Sequence, residues 1–344
     1  MRVLVGVSGG IDSFMTIVLL QEQGYEVIGI CFDFWDENDL TIVEAMCQKL
    51  GITLIRRRED KIFKELIVDS FVNDYINART PSPCCLCNSF VKWHLLNKVA
   101  KELNIEYIAT GHYVKIKKHN KLYYIYRGED PIKDQSYFLW DISQEILAKS
   151  ITPLGDYKKS EVKEMASKRG YQDILSRRES MSICFLKGRD YREFVTEQSG
   201  VSNTTGFIYT RDGKLLGEHQ GLLNYTIGQK RGIPTYNNTP MYVASMNIED
   251  NTIIVDIKPN LHSLKFRLEN YNIICKDDIL ADDISVMVRG LGLNPNGFAK
   301  ITFLDDKNIE INLSEPAWAL APGQAVALYR KDRLIGGGYI QSNI

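Results

Sequence analysis

The sequence predicts an α/β N-terminal domain built on a parallel, Rossmann-like sheet, followed by a small central, mostly-β domain and a C-terminal β-barrel. Three observations carry this prediction. The first part of the chain alternates β-branched apolar runs with segments of helical period, the pattern of βαβ units. From about Gly200 the composition shifts to Gly, Thr, Asn and short β runs. Beyond His262 short strands recur at regular spacing, with turn signals and no helical period, which suits a small closed barrel. A chain of 344 residues is also too long for one ordinary core. The composition shifts set domain limits at 1–199, 200–261 and 262–344.

The elements follow in order from the same signals. Val3, Leu4, Val5 and Val7 form a buried strand, and residues 14–20 read as a helix that Gly24 can close. Residues 26–32 read as a second buried strand. Leu40, Val43, Met46, Cys47 and Leu50 repeat at helical spacing up to Gly51, and residues 52–55 supply a third strand. This is βαβαβ, hence a parallel sheet with right-handed crossovers, and such sheets bind ligands at the carboxyl ends of their strands. Ile62, Phe63, Leu66, Ile67, Phe71 and Tyr75 make a longer amphipathic helix ending near Ala78. Next come Arg79-Thr80-Pro81-Ser82-Pro83, whose two prolines forbid regular structure. Asn88 can then cap a helix from Phe90 to Leu103, which leaves Cys87 at a helix N-terminus. Residues 107–110 form another buried strand, and residues 113–117 and 122–126 a hairpin turning at His119-Asn120. Residues 133–139 join polar residues to a short strand, and residues 158–169 form a helix closed by Gly170. Residues 247–259 read as a hairpin about Asp250-Asn251. Barrel strands fall at 284–288, 298–303, 309–313, 325–329 and 334–340.

Between the first strand and the first helix lies Ser8-Gly9-Gly10-Ile11-Asp12-Ser13. A helix start presents unpaired backbone N–H groups and the positive end of a dipole, and two glycines let the backbone close around an anion. For Ser-Gly-Gly alone, a tight turn with a Ser/Asp cap is the plain alternative. No Gly-Lys-Ser/Thr follows, so the stretch is not a Walker A loop. With Asp12 and Ser13 it resembles the SGGxDS signature of the PP-loop ATP pyrophosphatases, which split ATP into AMP and pyrophosphate and adenylate an acceptor. That resemblance implies that the loop holds the β,γ-phosphates and that Asp12 helps position Mg²⁺.

The formal net charge of −1 excludes a whole-protein field that advertises a polyanion partner. The basic clusters at Arg56-Arg57-Arg58, residues 115–121, Arg177-Arg178, residues 187–192 and Lys230-Arg231 each read singly as a solvated face. No apolar run reaches the roughly 18 residues a spanning helix needs. The N-terminus enters a strand directly, so a cytoplasmic protein with no membrane partner is expected. Seven cysteines, an odd count in a reducing compartment, argue for core, catalytic or metal-site thiols. Cys31 and Cys47 read as small core residues and Cys275 as structural. Cys84-x-x-Cys87 lacks the second CxxC or His pair of a zinc site. A sulfur-handling dithiol, part of an iron–sulfur site and plain loop cysteines stay open. Cys87, at its expected helix start and with Lys92 nearby, is a nucleophile candidate. Cys184, in an apolar run behind Arg177-Arg178, reads on its own as a buried strand cysteine. His112, at a strand end, reads equally as a general base or a satisfied structural residue.

The chain as a whole resembles the bacterial tRNA-specific 2-thiouridylase family, MnmA. The matching pieces, in order, are the Ser8 to Ser13 loop, Arg79-Thr80-Pro81-Ser82-Pro83 with Leu86-Cys87-Asn88, Ala109-Thr110-Gly111-His112-Tyr113, and Lys133-Asp134-Gln135-Ser136-Tyr137-Phe138-Leu139. Then come Ser182-Ile183-Cys184-Phe185, Gly217-Glu218-His219-Gln220-Gly221, Tyr225-Thr226-Ile227-Gly228-Gln229-Lys230-Arg231-Gly232 and Pro322-Gly323-Gln324-Ala325. The resemblance implies that ATP adenylates C2 of the wobble uridine of tRNA, and that a cysteine persulfide, charged by a sulfur-relay protein, supplies sulfur as AMP departs. It implies Cys184 as persulfide carrier and Cys87 as the nucleophile that closes a disulfide and releases sulfur. It further implies that Gly6, Val7, Ser8, Gly9, Gly10, Ile11, Asp12 and Ser13 contact ATP, and that Phe32 and Gly111 line the adenosine pocket. Ser82, Pro83 and Cys84 are implied to approach the target base, and Lys133, Asp134 and Gln135 to touch the tRNA. The protein is expected to act as a monomer.

Three departures from the family pattern stand out. Cys84 replaces an Asp that many members carry and that could accept a proton during attack, so either another base serves or Cys84, Cys87 and Cys184 together ligate an iron–sulfur cluster. The segment between Trp35 and Leu40 is short. Leu291-Gly292 align with an Arg-Tyr pair used for tRNA contact, as in a divergent paralogue. The competing functions are a PP-loop amidoligase, a thiolase acting on another tRNA position, and a tRNA-binding protein without catalysis.

Overall fold

The computed structural model describes residues 1–35, 40–175, 183–290 and 292–341. Arg177-Arg178, the segment after Trp35, Ser182 and Leu291 lie outside the described residues. The chain divides into two units, one of residues 1–67, 84–181 and 332–335, the other of residues 68–83, 182–331 and 336–344.

The first unit is organised by strands β1 (Arg2–Gly6), β2 (Glu26–Asp33), β3 (Thr53–Arg58) and β4 (Tyr107–Ala109). A hairpin of β5 (Val114–His119) and β6 (Leu122–Arg127) follows, then the short β7 (Ser150–Ile151). The sheet runs β3-β2-β1-β4-β7, with all its pairings parallel. The chain leaves β1 toward β2 on one side and returns to it at β4 on the other. The end of β1 is therefore the topological switch point, where such sheets open a crevice. Helix α1 (Ile11–Glu22) starts there, and its residues from Phe14 to Leu20 are all buried. A helix apolar on every side needs cover on every side. Val3, Val5 and Val7 of the sheet side, Val43 and Met46 of α2 (Thr41–Lys49), and Leu154 and Val162 share its core. The hairpin turns at Asn120, whose φ of +56° suits Asn.

Two expectations in this unit are corrected. The chain is helical from Pro83, through Pro83–Cys87 and a π-type stretch Asn88–Lys92, into α3 (Trp93–Glu102). Proline is excluded from helix interiors but favoured in the first turn, so Pro83 starts the helix that it was expected to forbid. Asn88 is consequently not a cap. Residues 136–139 form a 3₁₀ turn and not a strand, because the Asp134 carboxylate accepts from Ser136 N at 3.3 Å and Ser136 Oγ at 2.7 Å and bends the chain. Helix α4 (Lys159–Lys168) closes at Gly170 as expected.

The second unit contains the helix Asp69–Ile76 and α5 (Tyr191–Ser199), capped by Asp190 and ended by Gly200 at φ +67°. Phe71 meets Phe185 edge-on at 5.1 Å, and Tyr75 stacks on Tyr191 at 4.5 Å. The central sheet runs β10-β11-β8-β9, from β8 (Gly206–Thr210), β9 (Leu215–His219), β10 (Tyr242–Asn247) and β11 (Thr252–Asp256). Ile208, Val243, Ile253 and Val255 fill its core.

The C-terminal strands are β12 (His262–Ile273), β13 (Ile284–Met287), β14 (Ala299–Phe303), β15 (Asn308–Trp318), β16 (Ala325–Arg330) and β17 (Arg333–Ile340), in the order β13-β16-β17-β12-β15-β14. A bridge between Ser285 and Phe298 joins the two edges and closes the barrel. Strand β12 was not anticipated. Only Phe266 and Leu268 of its residues are fully buried, so the alternation that marks a strand is nearly absent. No described helix is long and apolar enough to cross a membrane.

Candidate active site

At the end of β1, Val7 N donates to Ile30 O at 2.8 Å, and the chain turns through Gly9 at φ +79° into Gly10, the N-cap of α1. The loop is closed on itself. Ser13 Oγ donates to Gly10 O at 3.0 Å and accepts from Ser8 N at 3.3 Å. The first N–H groups of α1 have no carbonyl within the helix to bond, which leaves them for an anion. Asp12 lies in this first turn. Its Oδ1 accepts from Tyr113 Oη at 2.7 Å, and its two oxygens accept from Lys159 Nζ at 2.7 and 2.9 Å.

Gly111 lies against the same turn. A Cβ there would be 2.9 Å from Asp12 C and 3.1 Å from Ser13 N, so only glycine allows this approach. Phe32, half-buried at the end of β2, stacks on Phe34 at 5.6 Å, which stacks on Phe63 at 5.1 Å. His112 bonds Thr110 Oγ1 through Nδ1 at 2.9 Å and lies against Trp93. Burial, with a smaller effect from the charge of Lys92, pushes its pKa down to about 3. The imidazole is therefore neutral at physiological pH.

Of the three clustered thiols, Cys84 is exposed while Cys85 and Cys87 are buried, at 1% and 5% exposure. The helix begins at Pro83, so Cys87 sits a turn inside it and not at its N-terminus. Cys85 Sγ faces Tyr137 O at 3.8 Å, and burial holds its pKa far above that of an ordinary thiol. Asn88 is buried with no partner for Oδ1. Cys31 and Cys47 lie in the core as expected, and burial pushes Cys47 up to about 11.

The Lys133-Asp134-Gln135 turn is held from within. Asp134, with a side chain 5% exposed, accepts from Gly128 N at 3.0 Å and pairs with Arg127. Gln135 clamps Tyr113 from both sides, accepting from Tyr113 N through Oε1 at 3.0 Å and donating its own N–H to Tyr113 O at 3.3 Å.

In the second unit Cys184 is exposed at a turn, followed by buried Phe185 and Leu186. The chain turns over there because Leu186 N donates to Ile183 O at 3.1 Å and Lys187 and Gly188 both take positive φ. Thr80 N donates to Pro322 O at 2.7 Å, and Ser82 Oγ accepts from Ala325 N at 2.8 Å. Arg79 pairs with Asp74 and Glu269. Ser82, one of the residues expected at the target base, is thus tied to the Pro322-Gly323-Gln324-Ala325 motif. Among the described residues no three His, Cys, Asp or Glu side chains gather to hold a metal ion.

Three family models match the chain in succession: the tRNA methyl transferase HUP domain over residues 1–188, the tRNA methyl transferase PRC-barrel domain over 192–256 and the aminomethyltransferase beta-barrel domain over 263–340. The tRNA-specific 2-thiouridylase MnmA 2 of Phocaeicola vulgatus is 38% identical over 345 residues, covering 98% of this chain and 97% of its own. MnmA 1 of Bacteroides fragilis is 37% identical over 355 residues, with 98% and 97% covered. MnmA 2 of Clostridium botulinum is 34% identical over 354 residues, with 99% of each covered. The chain belongs to the MnmA family.

Its fold is accordingly an N-terminal HUP domain with a parallel sheet, a PRC-barrel-like domain and a C-terminal β-barrel. Reading the MnmA motifs missed two residues of the loop. Tyr113 stands inside a matched motif, but nothing local ties its hydroxyl to Asp12. Lys159 lies 147 positions from Asp12, and its one signal is a lysine in the first turn of a helix, where the dipole disfavours a cation. The basic run Arg56-Arg57-Arg58 is fully paired, with Glu44, Glu102 and Asp60, and is a solvated face as expected.

Proposed function

We propose that this protein is an ATP-dependent tRNA sulfurtransferase that replaces the C2 oxygen of the wobble uridine by sulfur. The observation that carries the reading is the pairing, in one MnmA-family chain, of a phosphate loop without a Walker lysine and an exposed cysteine, Cys184, on an anchored turn. Methyl transfer, which the names of two matching family models suggest, needs neither feature.

In the proposed reaction the loop from Gly6 to Ser13 holds ATP, brought as its Mg²⁺ complex, with Phe32 and Gly111 beside the adenosine. The uridine C2 oxygen attacks the α-phosphorus and pyrophosphate leaves. A sulfur-relay protein loads Cys184 as a persulfide, for which an exposed thiol is required. The Cys87 thiolate attacks Cys184 Sγ, the S–S bond breaks, and the released hydrosulfide adds to C2. AMP departs with the former carbonyl oxygen. The Cys87–Cys184 disulfide left behind takes two electrons from an external thiol. Cys87 is 5% exposed, so this step requires the turn at residues 83–87 to open.

Ser82, Pro83 and Cys84 would meet the flipped base, as base-modifying enzymes require. Lys133, Asp134 and Gln135 would touch the tRNA from a turn that the Asp134 carboxylate braces through Gly128 and Ser136 and that Gln135 ties to Tyr113. We take the domain limits as 1–199, 200–261 and 262–344, supported by the central sheet over 206–256 and the start of β12 at His262. A cytoplasmic monomer fits this function.

The test is mass spectrometry of wobble nucleosides from cells lacking the gene. Wild type is expected to restore 2-thiouridine and Cys184→Ser is not. Full restoration by Cys184→Ser refutes the reading.

A further inference from the structure

Lys159 is in a costly place. It is the first residue of α4, at the positive end of the helix dipole, and it is 6% exposed. A long side chain with a polar head is rarely so enclosed. Four residues nevertheless fix it there. Asp12 accepts from its Nζ with both carboxylate oxygens, at 2.7 and 2.9 Å. Tyr113, which donates to Asp12 Oδ1, presents its ring 5.7 Å from the same Nζ. Asp130 Oδ2 accepts from Lys159 N at 2.9 Å, while its Oδ1 accepts from Ile132 N and Lys133 N. Gln135 fixes the backbone of Tyr113.

The phosphate loop itself contains no cation. A polyphosphate carries several negative charges, and helix N–H groups offer only partial positive charge in return. Walker A loops meet that demand with their own lysine, which this loop lacks. Lys159 Nζ lies at ion-pair distance from a side chain of the first turn of α1. The Asp12 carboxylate, expected beside Mg²⁺, already has both oxygens engaged by Lys159 and Tyr113.

We propose that Lys159 is the cation of the phosphate loop, directed at the polyphosphate of ATP, and that Asp12 and Tyr113 are the positioning residues that hold it there, so that Asp12 serves Lys159 and not the metal. This rests on the reading of the loop as an ATP site. A salt bridge serving only to tie α4 to α1 would not be needed at the one turn that faces the ligand, since apolar contacts do that work at lower desolvation cost.

The test uses the full chain without tRNA, titrated calorimetrically with ATP at several Mg²⁺ concentrations. Lys159→Met is expected to weaken ATP binding by about ten- to a hundredfold, the loss of a charge-assisted contact, and Lys159→Arg to retain most of it. Asp12→Asn is expected to weaken ATP binding at every Mg²⁺ concentration without moving the half-saturating Mg²⁺. The double variant Asp12→Asn with Lys159→Met removes both charges together and so leaves neither ion buried alone. It is expected to fold and to bind ATP as weakly as Lys159→Met. Wild-type affinity in the double variant or in Lys159→Met shows a structural tie and overturns the proposal. A raised Mg²⁺ requirement in Asp12→Asn alone makes Asp12 a metal ligand and also overturns it. If wild type binds no ATP, the reading of the loop falls first, and the proposal with it.

Discussion

Gly111→Ala tests whether the phosphate loop depends on one backbone approach. The added Cβ would lie 2.9 Å from Asp12 C, 3.1 Å from Asp12 O and 3.1 Å from Ser13 N. All three are backbone atoms of the first turn of α1, which is held in place by the burial of Phe14, Met15 and Ile17. Ordinary contact begins at 3.4 Å, so one backbone must retreat by 3.4 − 2.9 = 0.5 Å. Overpacking of this kind costs about 1–3 kcal/mol. At about 2–4 °C per kcal/mol for a domain of this size, Tm should fall by about 2–12 °C. The same turn carries the N–H groups of Asp12 and Ser13 and the hydroxyl that closes the loop. If the strain falls on the nucleotide-binding conformation, about 1–3 kcal/mol becomes about five- to 150-fold in ATP affinity. Thermal unfolding and calorimetric ATP titration measure the two effects separately. Gly6→Ala, whose Cβ would meet nothing within 4 Å, is expected to keep the wild-type Tm. A Gly111→Ala protein with unchanged Tm and unchanged ATP affinity would refute the argument.

Two further outcomes follow from particular side chains. His112 titrates near pH 3 when folded and near 6.5 when unfolded, so the unfolded chain binds more protons between those values. Its contribution is whole above about pH 6.5 and declines as pH falls toward 3, by at most about 1.4 kcal/mol per pH unit. Urea unfolding at pH 7 and pH 5 should show a smaller loss for His112→Asn than for wild type, and equal losses would remove the half-buried imidazole as a cause. Phe185→Ala should cost about 3–5 kcal/mol by emptying the contacts with Phe71 and Phe194. Because Phe185 anchors the turn that exposes Cys184, 2-thiouridine formation should drop while ATP binding at the N-terminal loop persists. Full thiolation at the wild-type Tm would contradict that role.

What the sequence disclosed and what it hid divide along the range of the interactions. The βαβ order, the loop after β1 and the barrel are local patterns of period, glycine and turn residues, and they are legible one window at a time. Pro83 was misread because the rule against proline in helix interiors was applied at a position where helices begin. That shift of start put Cys87 a turn inside the helix and buried it. Cys184 read as buried because Ile183, Phe185 and Leu186 are apolar. Its exposure depends on the turn through Lys187 and Gly188, which no periodicity encodes. Lys159 was invisible for the same reason, since its partner is 147 residues away.

The Lys133-Asp134-Gln135 turn shows why such hidden contacts change how a mutation is to be interpreted. Polar residues in a matched motif suggest direct contact with tRNA, yet the Asp134 carboxylate is used on Gly128 and Ser136, and Gln135 grips Tyr113. Tyr113 in turn donates to Asp12 of the phosphate loop. A substitution at Gln135 therefore loosens Tyr113 and, through it, the group that fixes Asp12 and Lys159. Loss of thiolation in such a variant is evidence about tRNA contact only if ATP affinity, measured without tRNA, is unchanged. At Lys133 the same measurement is needed, because its backbone N–H and its charge both act on Asp130, which holds the start of α4.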